Sequence, residues 1–201
     1  LTFGAATKNH NPLNSGIYWR GTLSQVWDEA GNWSSDVPSN GDNVVIPSNV
    51  ATQPHVFSKT AVCQDLFITD GASVHIEPGG ALTASGDITI NGDFRMLSDA
   101  TGNGAFINQA PIAYGTNSSV QVDLYNASHS YHYVSSPVQS AHSDLYHNAP
   151  VPYYNPNFYR YDEANTSTEF TDGWEDENGT MQVMKGYAHY VDQDVTIPYT
   201  G

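Results

Sequence analysis

"LFITDGASVHIEPGGALTASGDITINGDF", Leu66 to Phe94, decides the fold. Apolar residues recur at Leu66, Val74, Leu82 and Ile90, eight positions apart. A second row follows two places later, at Ile68, Ile76 and the smaller Ala84. Within each unit the pattern alternates: Val74 and Ile76 point inward, His75 and Glu77 outward, which is the period of a strand. Gly71 and Gly79 sit between units, where the backbone must turn in ways a side chain resists. Two architectures satisfy this pattern. One is an antiparallel β-meander with tight turns. The other is a parallel β-solenoid, in which each short strand stacks on its equivalent in another coil. A coil is longer than eight residues, so an octad would be one side and its corner. Stacked rows of like residues favour the solenoid.

On either side of the octads the pattern changes. Residues 1–40 are mostly irregular and carry Trp19, Trp27 and Trp33 among turn residues. Indole buries a large area, so these rings suit the capping of an open apolar end; they also suit stacking on sugar. "SNGDN" (39–43) is a turn signal and "NVVIP" (43–47) a short strand stopped by Pro47. Beyond the octads, "AFINQ" (105–109) and "VQVDLY" (120–125) read as strands. The last third is aromatic and alternating in "SYHYVSSPVQ", "FYRYDE" and "GYAHYV". The expected chain is therefore all-β. A Trp-containing leading segment and a short β-solenoid or β-meander repeat unit occupy residues 1–128. An aromatic-rich β-sandwich-like unit occupies 129–201. "VQSAHSDLYHNAP" (138–150) has room for a single helical turn.

Composition narrows the function. Six Lys and Arg face 21 Asp and Glu, a net charge of −15 over 201 residues. Phosphate backbones and anionic membrane surfaces need cations, so nucleic acid and lipid headgroups are disfavoured as partners. No apolar run approaches a membrane span. Divalent cations, basic partners and neutral glycans are compatible with the charge. Low charge density with abundant Asn, Ser, Thr, Gly and Tyr fits an extracellular β protein. The lone Cys63 forms no intramolecular disulfide, and its strand-like flanks "TAVCQDLFI" make it a buried thiol.

"WDEAGNWS" (27–34), "VPSNGDNVVIP" (37–47) and "CQDLFITDGASVHIEPGGALTASGDITINGDF" (63–94) together resemble secreted proteins of the Bacteroidota. In those, a Trp-containing start and a D-x-V-x-I-P strand precede Gly-punctuated β-repeats. "YHYVSSPV" (131–138), "FYRYDEANTSTEFTDGWEDENGTMQVMKGYAHYV" (158–191) and "VTIPYTG" (195–201) resemble the module that often follows. The resemblance implies a cell-surface or secreted, adhesin-like protein of the type IX secretion route. No sorting domain is recognisable before the chain stops at "TIPYTG", which suggests a fragment or a processed product.

Chemistry-bearing clusters are sparse. Asp172, Glu175, Asp176 and Glu177 share one Gly-containing loop, and calcium takes carboxylate oxygens on such loops. The stretch lacks the D-x-D-x-D-G-x5-E spacing, so a solvated acidic loop competes with that reading. His142 and His147 are five apart, which fits neither one helix face nor a zinc spacing. No G-x-S-x-G elbow is present. The leading expectation is a non-catalytic structural or adhesive surface module. Its partners would be further copies or other cell-surface proteins, with filaments as one outcome. The alternative is a carbohydrate-binding module using Trp19, Trp27, Trp33, Trp174, Tyr153, Tyr154 and Tyr159. A glycan-active solenoid enzyme comes third, since paired carboxylates at fixed separation cannot be read from sequence.

Overall fold

The computed structural model describes residues 16–147, 158–165 and 173–201. The fold is nearly all β and contains a solenoid of about four turns. Its first strands are β1 (Ile17–Tyr18), β2 (Val44–Ile46), β3 (His55–Val56), β4 (Ala61–Cys63), β5 (Leu66–Ile68), β6 (Ser73–Ile76), β7 (Ala81–Ala84), β8 (Ile88–Ile90) and β9 (Asp93–Met96). A small hairpin, β10 (Ser98–Asp99) and β11 (Gly102–Asn103), bulges out before β12 (Ala105–Asn108), β13 (Ile112–Tyr114) and β14 (Ser119–Asn126).

The chain visits three sheets in rotation. One sheet runs β1-β2-β5-β8-β13, the second contains β3, β6, β9 and β14 in that order, and the third runs β4-β7-β12. Every pairing among these strands is parallel. Parallel pairing decides for the solenoid, because a meander pairs its neighbours antiparallel. Val44, Leu66, Ile88 and Ile112 are register partners 22, 22 and 24 residues apart, which is the length of one coil on that side.

The octad is therefore one side of a three-sided coil. Leu66, Val74 and Leu82 lie on β5, β6 and β7, three successive sides. Ile90 opens the next coil on β8, where it stacks on Ile68. All eight of Leu66, Ile68, Val74, Ile76, Leu82, Ala84, Ile88 and Ile90 are buried in one core with Phe94 and Cys63. Each large apolar side chain so buried contributes about 1.5–3 kcal/mol. Corners are tight. Gly79 adopts φ +78°, a left-handed conformation costly for other residues. A Cβ on Gly92 would lie 2.2 Å from the carbonyl oxygen of Ala72 in the coil below.

The lower end of this core is closed by tryptophan. Trp19, Trp27 and Trp33 are all buried, and Trp33 meets the other two edge-on at 4.9 and 4.7 Å. Trp19 Nε1 donates to the carbonyl of Thr52 and Trp33 Nε1 to that of Trp27, both at 2.7 Å. Asn32 is fully buried beside them. Its Oδ1 accepts from the amides of Leu23 and Ser24, and its Nδ2 donates to Ser24 Oγ and the Val26 carbonyl.

The remaining strands are β15 (Ser130–Val134), β16 (Phe158–Tyr161), β17 (Trp174–Asp176), β18 (Tyr187–Val191) and β19 (Val195–Thr200). A helical turn, α1 (Asp144–His147), falls within the stretch that had room for one. β15, β18, β16 and β17 form an antiparallel sheet in that order. A second core contains Val134, Tyr146, Phe158, Tyr187, Ile197 and Tyr199, with Val122 and Leu124 packed against it. β14 thus belongs to both cores. Its start pairs parallel with β9, and Gln121–Asn126 pairs antiparallel with β19.

Candidate functional site

Strand alternation sorts the aromatic residues of the four-stranded sheet. Phe158 and Tyr187 face the second core and are buried there. On the opposite face lie Tyr131 and Tyr133 of β15, Tyr190 of β18, Tyr159 and Tyr161 of β16, and Trp174 of β17. Register pairs Tyr131 with Tyr190, Tyr159 with Asp176, and Tyr161 with Trp174. Tyr133 and Tyr131 are 78% and 64% exposed, Tyr161 44% and Trp174 37%. Ala188 lies between Tyr133 and Tyr159 in the same register row. Its short side chain is buried, and the Tyr133 and Trp174 rings approach to 6.3 Å.

The rings are not coplanar. Tyr133 and Trp174 are inclined at 37°, Tyr131 and Tyr190 at 59°, and Tyr161 and Trp174 at 63°. The result is a corrugated aromatic face with hydroxyl tips. Burial, with Asp176 and Asp192 respectively adding to it, raises the phenol pKa values of Tyr159 and Tyr190 above the ordinary range.

Of the tryptophans offered for the alternative, sugar-binding reading, Trp19, Trp27 and Trp33 are core residues with no open ring face, as the capping reading has them. Trp174 and Tyr159 belong to the aromatic face. Tyr153 and Tyr154 lie outside the described residues.

Glu175 and Asp176 lie on strand β17 rather than in the expected loop, and the described acidic residues do not converge. Arg160 Nη2 donates to Glu175 Oε2 at 2.6 Å, and Arg160 Nε lies 3.7 Å from Glu177 Oε2. Asn165 Nδ2 also donates to Glu175. A guanidinium therefore sits between two of the carboxylates where a cation would. Asp176, between them in sequence, projects to the other side of β17 beside Tyr159. Asp172 lies outside the described residues.

A different cluster forms on the outer face of the solenoid. His55 on β3 and His75 on β6 are register partners. Glu77 follows His75 by two, on the same face. The ligating atoms of the three lie within 4.8 Å of one another, and all three residues are half-buried. His55 Nδ1 is 2.5 Å from Glu77 Oε1, and the two imidazoles are 4.6 Å apart. Phe57 stacks beside His55 at 6.1 Å. Partial burial lowers the His75 pKa, helped by His55 and Arg95 and opposed by Asp93 and Glu77. The outward placement of His75 and Glu77 was legible from alternation. The third member was missed because His55 precedes His75 by one coil, a distance the octad does not reveal.

The profile of a domain family of unknown function, DUF8693, matches residues 18–200. No curated protein matches the chain, and no solved structure does.

Proposed function

The chain belongs to the DUF8693 domain family, and we propose that it is a non-catalytic extracellular adhesive module. It holds a neutral glycan chain on the aromatic outer face of its four-stranded sheet. The observation that carries this reading is the set of six aromatic residues gathered on one face, four of them open to solvent. Sugar rings present apolar C–H faces that pack on aromatic rings and hydroxyls that bond to phenols and carboxylates. Neutral glycans are favoured because six Lys and Arg against 21 Asp and Glu repel polyanions. The inclination of the rings suits a single twisted chain. A flat crystalline surface would demand coplanar rings. The location follows the likeness to secreted and cell-surface proteins of the Bacteroidota.

The test is retention on a panel of neutral and acidic polysaccharides by affinity electrophoresis. Trp174→Ala and Tyr133→Ala should each weaken binding to the retained neutral glycan at least about tenfold, with an unchanged circular dichroism spectrum. Absence of any neutral ligand, or variants that bind like the parent, would remove the reading.

Self-association is a second reading, favoured by one observation. β12 and β13 are the last strands of their sheets, and Ile107 and Tyr114 on them are exposed. Such edges accept a strand from a neighbour. Repeated head to tail without closure, this contact builds a filament. Light scattering after size separation distinguishes monomers from such assemblies.

A further inference from the structure

We propose that His55, His75 and Glu77 form a binding site for a divalent ion of the zinc class, one that staples two neighbouring coils of the solenoid. This inference is independent of the glycan reading. Three features carry it.

The first is the donor set. Two imidazoles and one carboxylate are borderline nitrogen and oxygen donors, the kind that zinc takes with three protein ligands and one open position. Calcium, which prefers six or more oxygens, is not matched by this set.

The second is the scaffold. The residues come from two adjacent coils and are held by ladder bonds, not by loops. The His55 amide donates to the Gln25 carbonyl at 2.7 Å, and its own carbonyl accepts from Trp27 at 3.0 Å. The amides of His75 and Glu77 donate to the carbonyls of Pro54 and Val56. Ile76 between them is buried in the core, which fixes both neighbours outward.

The third is distance. Zinc at about 2.0–2.1 Å from nitrogen spaces its ligand atoms roughly 3.3 Å apart. The present spread of at most 4.8 Å is within about 1.5 Å of that spacing, while His55 Nδ1 and Glu77 Oε1, at 2.5 Å, would move apart to admit the ion. A positive charge beside the cluster is Arg95, the register partner of His75 on β9. Its guanidinium is drawn to Asp93 Oδ2 at 2.7 Å.

The experiment is calorimetric titration of zinc chloride into chelator-treated protein, with calcium chloride as a parallel probe. The expected result is one zinc equivalent bound and no calcium binding at this site. His55→Ala, His75→Ala and Glu77→Gln should each weaken zinc at least about tenfold, the scale on which even supporting residues of metal sites act. His142→Ala, on a separate His–Asp pair at 3.0 Å, should leave zinc binding unchanged. X-ray absorption on the zinc-loaded parent should show two imidazole ligands, and it decides the matter if a variant fails to fold. The proposal is overturned by no stoichiometric zinc binding, by folded variants that bind like the parent, or by a spectrum without two imidazoles.

Discussion

The phenolic oxygens of Tyr146 and Tyr199 share one hydrogen bond inside the second core, joining α1 to the last strand of the chain. Burial drives both pKa values upward, Tyr199 to about 12 and Tyr146 further, with Tyr199 adding to the rise at Tyr146. Burial likewise pushes the Cys63 thiol in the first core up to about 12. At high pH the unfolded chain releases these protons while the folded chain retains them. Their contribution is complete below the unfolded values, about 8.5 for Cys and 10 for Tyr, and is lost as pH climbs toward 12. Denaturant midpoints at pH 7 and pH 11 should therefore differ, with several kcal/mol less stability at pH 11. The thiol should also resist alkylation at pH 8 until the protein is unfolded.

Asn32 organises the Trp-lined end of the solenoid. Asn32→Ala strips the amides of Leu23 and Ser24 of their buried acceptor. Leaving such donors unsatisfied costs about 1–3 kcal/mol each. Chemical denaturation should show a loss of at least about 2 kcal/mol, with tryptophan fluorescence shifted to the red.

Gly92 lies where two coils touch. Its Cβ position is occupied by the Ala72 carbonyl oxygen at 2.2 Å, a backbone atom with no rotamer to yield. Gly92→Ala should cost on the order of 1–3 kcal/mol, as overpacking does. Gly41, which faces open space, is the control: Gly41→Ala should be neutral within about 0.5 kcal/mol.

Arg160 bears on the calcium reading of the acidic loop. With its guanidinium between Glu175 and Glu177, millimolar calcium should move the melting temperature by no more than about 1 °C. Arg160→Gln removes the cation from both carboxylates, and a calcium-dependent rise confined to that variant would assign the segment's affinity to the lost cation. A rise in the parent would restore calcium to the native segment.

The strands were legible in the sequence because each side of the coil has nearly the same length. Leu66, Val74 and Leu82 repeat for that reason. What closes the coil was not legible. Strand partners lie 20–27 residues apart, and the eight-residue spacing masks that longer period. The same gap hid His55 from its two neighbours. The tryptophans show a different limit. Trp27 and Trp174 read alike as bulky rings among turn residues, yet one is fully buried and the other lies on an open sheet face. Alternation located the aromatic strands within 130–139, 158–163 and 186–191. It could not say which set faces the core, since Phe158 and Tyr159 are equally able to fill one.

The double pairing of β14 makes the protein hard to divide. A cut after residue 128 would keep β14 beside β9 but remove β19 from its other edge. It would also strip away the side chains that cover Val122 and Leu124. A fragment drawn there carries a bare strand edge and uncovered apolar surface, the conditions for aggregation. Any expression unit meant to isolate the solenoid must carry residues 195–200 along with it, by a covalent rewiring that returns the last strand to the sheet it completes.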